Sequence, residues 1–385
     1  MMRENNKVIR IVILFKSILN FIYKGMCRRD TEKRVLFMSR QSNDPSVDFD
    51  LLADCIKEEH PDYSVEMLCR MMGSGLSGKA SYAFHILKQM KSLSKSRIVI
   101  LDSYCIPASI LKHRKHQVIA QIWHSIGTMK KNSYSILDQP EGRSSKVAYA
   151  MDMHRNYDLI FCAGHGYRDY LAESFDYPPE ALTIAPLPRV DLLRDSEYQA
   201  KLRAEILAKY PELASGKNII YAPTFRKGED EREPFRKATE ALRAAISGYG
   251  DKYNLIVKAH PLSDVESDCS EYSTMDMLAV CDYFISDYSC VVYEAGVMEI
   301  PFFFYAYDYD EYMSRRSVYI DYPGDLPGGM YRKAEDIIKD IDGGNYDTKA
   351  MKGFIRRFVE LPEDSRDKRP ATRKMVRAIF EKAGN

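Results

Sequence analysis

Two histidines stand where apolar runs end. His124 follows QVIAQIW (117–123), and His260 follows YNLIVKA (253–259). Ligands of open parallel sheets bind beyond the carboxyl ends of the strands, and a neutral imidazole takes a proton near pH 7. Each histidine alone is more often structural than catalytic. Two further strand ends carry matching residue types. KNIIYA (217–222) runs into Pro223, Thr224, Phe225 and Arg226, which offers a hydroxyl and a cation to phosphate oxygens. DYFIS (282–286), whose last residue is Ser286, runs into Asp287, Tyr288, Ser289 and Cys290, and then into the helical VVYEAG. Hydroxyls beside the free amides of a helix start make an anion site, although Asp287 or Ser289 would cap the helix without any ligand. Glu294 lies five residues past Ser289, where it either accepts hydrogen bonds from a ribose or faces solvent.

A rival signal is GSGLSGKA (73–80), one residue from the phosphate-binding G-x-x-x-x-G-K-[ST]. Ala80 replaces the hydroxyl that would ligate Mg²⁺, and four residues separate SVEML from the first glycine. The stretch is expected to be a loop of the first domain. Under an ATPase reading, Asp102 after RIVIL would hold the metal.

These residues need a scaffold. Apolar strands alternate with helical patterns at VLFMS (35–39), SVEML (64–68), RIVIL (97–101), QVIAQIW and YDLIFC (157–162). A charged connector and a helix over about 197–209 follow, and the rhythm restarts at KNIIYA, YNLIVKA, DYFIS and IPFFFY (300–305). This is the βαβ pattern of parallel sheets covered by helices. The fold class is α/β, with two Rossmann-like domains and the site expected in the cleft between them. The expected division is 1–34, 35–195, 196–348 and a basic tail of helices over 349–385.

Residues 1–34 carry nine Lys/Arg against three acids, and residues 349–385 carry eleven against five, on a chain of net charge +1. Basic ends on an acidic body suit an anionic membrane surface, or serve as solubilising tails. In KVIRIVILFKSILNFIYKGMCRR, Arg10, Ser17, Asn20 and Lys24 form a polar stripe opposite Ile, Leu, Val and Phe. No run approaches the 20 or so apolar residues of a span. The reading is an interfacial helix, with docking on the protein's own body as the alternative. The eight cysteines form no C-x-x-C or zinc spacing, which points to free thiols in a reducing cytosol and no metal site. No cofactor and no nucleic-acid partner are expected.

WHSIG-TMKK, YAPTFR, KAHP and ISDYSCVVYEAGVMEIPFFFYAYDYDEY together resemble the CDP-glycerol glycerophosphotransferase family, over about residues 115–325. The family usually reads Trp-His-Gly-Thr-Pro where this chain has Trp-His-Ser-Ile-Gly, and a second serine where Cys290 stands. The resemblance implies a GT-B fold, monotopic association with the cytoplasmic face of the membrane, a CDP-glycerol or CDP-ribitol donor and a lipid-linked glycan acceptor, in teichoic-acid-like or capsular polymer synthesis. It assigns His124 and His260 to catalysis. Thr224, Arg226, Lys258, His260, Ser286, Asp287, Ser289 and Glu294 fall to the donor, and Ser125, Gly127 and Lys130 to the acceptor side. His124 would be the base, Arg226 and His260 would neutralise the pyrophosphate, and no metal would be required. The alternatives are a nucleotide-sugar glycosyltransferase of the same fold and a non-catalytic membrane-bound scaffold.

Overall fold

The computed structural model describes residues 2–73, 75–224, 229–259, 266–363 and 367–384. The chain divides into two compact units. Unit 1 comprises residues 1–125, 132–189 and 362–385, and unit 2 comprises 126–131 and 190–361.

Unit 1 is built on a six-stranded sheet in the order β2-β1-β3-β4-β5-β6. Its strands are β1 (Glu32–Ser39), β2 (Ser64–Cys69), β3 (Ser96–Leu101), β4 (Val118–Gln121), β5 (Leu159–Cys162) and β6 (Leu182–Ile184). Every pairing is parallel, with Phe37 opposite Met67 on one side and Ile100 on the other. Val35–Met38 and Ile98–Leu101 are fully buried, as continuous apolar runs must be when helices cover both faces. Helix α1 (Met2–Met26) precedes the sheet. Helix α2 (Val47–Glu59) starts where the Ser46 hydroxyl accepts from the Phe49 amide. Helix α3 (Gly75–Leu93) follows β2.

Unit 2 carries a five-stranded parallel sheet in the order β11-β10-β9-β7-β8. It is formed by β7 (Lys217–Tyr221), β8 (Tyr253–Val257), β9 (Tyr283–Ser286), β10 (Phe302–Tyr305) and β11 (Met330–Tyr331). A helix over Ser196–Lys209, N-capped by Asp195, leads into it.

The strand order reverses between β1 and β3 in the first sheet and between β7 and β9 in the second. Such switch points open a crevice at the strands' carboxyl ends. Gln41 and Asp102 follow the two strands at the first switch point, with His124 following the next strand, β4, and Thr224 and Asp287 follow the two strands at the second.

Four expectations change. The first unit ends at Arg189 rather than 195, and it loses residues 126–131 to unit 2. The basic tail is shared: the helix Thr348–Phe358 belongs to unit 2 and Pro370–Ala383 to unit 1. Two of its cations are committed to the body, because Arg369 pairs with Glu58, and Arg373 with Glu59 and Asp367. Finally, GSGLSGKA is mostly helix. Six of its eight residues, Gly75–Ala80, already belong to α3, whereas a P-loop wraps phosphate ahead of its helix. Its glycines serve a close approach, since a Cβ on Gly78 would sit 2.6 Å from the Gly73 carbonyl carbon. Lys79 is exposed.

Candidate active site

In unit 1 the chain leaves β4 through Trp123, which holds a left-handed backbone at φ 63°. That conformation is costly for a bulky residue, by about 1–3 kcal/mol. It is held by the Trp123 amide donating to Gln121 Oε1 at 2.9 Å, and by the indole packing edge-on against Phe175. The turn delivers His124 half-buried above the sheet's carboxyl edge.

The His124 Nδ1 lies 2.8 Å from the Asp102 carbonyl, just past β3. A carbonyl only accepts, so Nδ1 carries the hydrogen and Nε2 is left with the lone pair. The Gln41 side-chain amide, just past β1, lies 3.3 Å from Nδ1, but its N–H cannot bond a nitrogen that already carries a hydrogen, so it is a packing neighbour of the ring. Two strand ends therefore fix the ring, β4 through the Trp123 turn and β3 through the Asp102 carbonyl. Burial pushes His124 down to about 4, against the Asp102 carbonyl bond, which raises it, and Arg189 lowers it further. The ring is neutral at pH 7, in the tautomer a base requires.

Two neighbours escaped the sequence reading. Asp102 is buried; burial raises its carboxyl to about 6, opposed by hydrogen bonding with Ser39 and Ser103. Its position after RIVIL was the available signal, but the ATPase reading diverted it to magnesium. Asp48, 1% exposed, takes the Arg189 amide at 2.8 Å and the guanidinium at 2.9 and 2.5 Å. The two guanidinium nitrogens converge on Asp48 Oδ2 while the Arg189 amide donates to Oδ1, which ties α2 to the start of the helix at Arg189. Nothing in the sequence spacing joins residues 141 positions apart.

In unit 2, β7 continues through Ala222 and Pro223 to Thr224, which is buried. The Thr224 amide donates to Asp287 Oδ1 at 2.8 Å, and the same oxygen takes the Tyr288 amide at 2.6 Å. One carboxylate thus joins the YAPT and SDYS motifs across the switch point. Ser286 donates to the Ala222 carbonyl at 2.7 Å, which knits β9 to β7. Ser289 is half-buried, and its hydroxyl accepts from the Val291 amide at 3.4 Å, one residue ahead of the cap position at Cys290. The helix that follows, Val291–Val297, has only seven residues. Glu294 is 7% exposed, so it does not face solvent.

Several assignments are redirected. Lys258 donates to the carbonyls of Asp268, Cys269 and Tyr272 at 2.9, 3.0 and 2.8 Å. Those three bonds use all its hydrogens, so it braces a loop instead of holding a donor. Gly127 belongs to unit 2, where a Cβ would lie 2.4 Å from the Tyr293 ring. The Tyr293 hydroxyl donates to the Thr128 carbonyl at 2.6 Å, and Lys130 bridges to Val318. Gly127 and Lys130 are therefore packed into unit 2, and Ser125 alone stays beside His124 in unit 1. His260 and Arg226 lie outside the described residues. Among the described residues, no cluster of His, Cys, Asp and Glu has the makings of a metal site.

Two doubly wound parallel sheets, each with its polar residues at a switch point, define a nucleotide-type α/β protein. The chain belongs to the CDP-Glycerol:Poly(glycerophosphate) glycerophosphotransferase family, whose model matches residues 22–381. Among curated relatives, the teichoic acid ribitol-phosphate primase of Bacillus spizizenii is 27% identical over 349 residues, spanning 88% of this chain and 90% of that protein. The teichoic acid glycerol-phosphate primase of Bacillus subtilis is 26% identical, spanning 67% and 68%. The solved wall teichoic acid polymerase TagF shares the fold with a TM-score of 0.73 and 20% identity, over 100% of this chain and 97% of that one.

Proposed function

We propose that the protein transfers a glycerol-phosphate or ribitol-phosphate unit from its CDP-alditol to a hydroxyl of a lipid-linked glycan or polyol-phosphate acceptor, in synthesis of a teichoic-acid-type polymer. The observation that carries the reading is the base-form tautomer of His124 at a switch point, in a chain matched almost end to end by this family. The acceptor oxygen attacks the phosphorus that bears the alditol, its proton passes to His124 Nε2, and the P–O bond to CMP breaks. The chemistry asks mainly for positioning and for neutralisation of the departing charge. Thr224, held by Asp287, together with Ser289 and Glu294, supplies the donor side in unit 2. Arg226 and His260 are assigned to the pyrophosphate by the family motif. Each unit by itself is a doubly wound parallel sheet of the kind a GT-B enzyme carries twice.

Membrane association at the cytoplasmic face is the second part of the reading. Among the described residues, no helix is long and apolar enough to cross a membrane. The two alternatives for α1 meet in one helix. Its inner side docks through buried Leu19 and Tyr23, Lys16 pairs with Asp152, and the Asn20 amide donates to the Ile110 carbonyl at 2.9 Å. Its outer side exposes Ile11, Leu14, Ile18 and Phe21, the last at 81%. Helix α3, packed against α1, adds Phe84 at 75% and Leu87. Apolar area on that scale marks an interaction surface, and basic Arg10, Lys24, Lys88 and Lys91 on the same helices suit anionic headgroups.

The test is a donor panel of CDP-glycerol, CDP-ribitol and a UDP-sugar, given with a lipid-linked acceptor and scored by the nucleotide released. CMP from a CDP-alditol supports the reading; UDP release with no CMP would replace it with glycosyl transfer.

A further inference from the structure

Beside His124, unit 1 contains a cavity of about 340 Å³ at the carboxyl ends of β1, β3 and β4. That is the size of a small-molecule site, commonly about 300–1,000 Å³. Arg40, Gln41, Tyr104 and Trp123 line one side, and the segment carrying Arg143 and His154 lines the other. Three lining residues, Trp123, Ser133 and His154, hold left-handed backbones at φ 63°, 52° and 56°. Non-glycine residues in that region concentrate at ligand sites, where surrounding packing maintains them.

The cavity lining carries two guanidiniums and one carboxylate. The Arg40 guanidinium lies over the rings of Tyr82 and Tyr104, at 5.7 and 5.9 Å, and Nη1 donates to the Tyr104 carbonyl at 3.2 Å. Its buried Nε has no partner. Arg143 also lies over the Tyr104 ring, at 5.8 Å. Neither guanidinium pairs with a carboxylate among the described residues. His154 is held between Ser133 Oγ at 3.0 Å and Tyr157 Oη at 3.1 Å, and burial keeps it neutral. Glu141 at the rim leaves the lining with a net charge of +1. Planar guanidinium forks braced on an aromatic ring suit a phosphate, while a rim carboxylate and the Gln41 amide suit the hydroxyls of a polyol.

We propose that this cavity is the acceptor subsite, and that it takes a polyol unit whose neighbouring phosphodiester is held by Arg40 and Arg143. Gln41 and Trp123 line the cavity, and they flank His124, Gln41 at 3.3 Å from its Nδ1 and Trp123 as the preceding residue, so the cavity adjoins the base without His124 in its wall. A chain whose terminal hydroxyl reaches the base would run its preceding phosphate back to the two guanidiniums. The acceptor is then a chain already ending in polyol phosphate, and a neutral glycan end is a poor substitute. This rests on the transfer reading above and names the acceptor for it.

Calorimetric titration of the full-length protein with glycerophosphoglycerol (two glycerols joined by one phosphodiester) and with glycerol tests the subsite. The diester should bind at least tenfold more tightly than glycerol. Arg143→Ala, at an exposed position that unfolding should not complicate, should weaken the diester at least tenfold, and Arg143→Lys should recover only part of the loss. The acceptor KM of Arg143→Ala should rise at least tenfold. Equal affinities for diester and glycerol, or an unchanged diester affinity in Arg143→Ala, would overturn the assignment. CMP release by the wild type is scored separately. Diester binding without CMP release keeps the subsite and sinks the transfer reading; CMP release without diester binding does the reverse.

Discussion

The most revealing perturbation of His124 is acid. An ordinary histidine base, with a pKa near 6.5, is about 9% unprotonated at pH 5.5. With its value pushed down to about 4 by burial, His124 is about 97% unprotonated at that pH. Between pH 7 and pH 5.5, kcat/KM should therefore stay nearly flat, where an exposed base would lose about tenfold. The limb should appear only as the pH approaches 4. The fold sets a limit on the experiment. His113 and His154 are also buried neutral, at about 4 and about 3. The unfolded chain binds their protons below about 6.5, so the stability they contribute is present above that pH and is lost as the pH falls toward the folded values. At pH 5.5 each costs on the order of 1 kcal/mol. Circular dichroism must accompany the rates, and only pH values at which the protein stays folded count. His124→Gln should lower turnover roughly 100- to 10,000-fold, or about 2.7–5.4 kcal/mol of barrier. A tenfold fall in kcat/KM between pH 7 and pH 5.5 with the fold intact, or a His124→Gln enzyme keeping more than a tenth of its turnover, would refute the base assignment.

Gly127→Ala forces a methyl to within 2.4 Å of the Tyr293 ring, and overpacking of that kind costs about 1–3 kcal/mol, so the thermal midpoint should drop by several degrees; an unchanged midpoint would show that the contact yields. Replacing Leu14 and Phe21 together by Glu removes two exposed side chains worth about 1.5–3 kcal/mol each in an apolar phase. Cosedimentation with phosphatidylglycerol vesicles should fall at least tenfold, and equal binding would move the membrane contact away from α1. Lys79→Ala should leave CDP-alditol turnover within a few-fold, because Lys79 is exposed on α3; a loss of roughly 100-fold in a folded variant would restore the phosphate role of GSGLSGKA.

The strands that carry the site were legible because parallel strands covered on both faces read as unbroken apolar runs, as VLFM and IVIL do. β6 and β11, of three and two residues, are too short for any periodicity to register. His124 and Asp287 could be singled out because each follows such a run directly. Their tasks could not. That His124 is a base depends on a carbonyl 22 positions away in sequence, and that Lys258 is a brace depends on three carbonyls of a loop downstream. Charge pattern misled at the C-terminus, since Arg369 and Arg373 look like a free basic tail until the helix Pro370–Ala383 is seen docked on the acidic end of α2. Segment 126–131 shows the remaining limit. Chain order assigns it to the first domain, but a glycine with room for an aromatic ring and a tyrosine hydroxyl on its backbone place it in the second.

The protein should be incubated with CDP-glycerol, or with CDP-ribitol, and a polyol-phosphate acceptor. Phosphorus NMR of the mixture, with chromatography of the nucleotide, reads the outcome directly. Transfer by attack at phosphorus predicts one new phosphodiester for each CMP released, and the loss of both in His124→Gln. CDP as the nucleotide product, or CMP without a new phosphodiester, would contradict it.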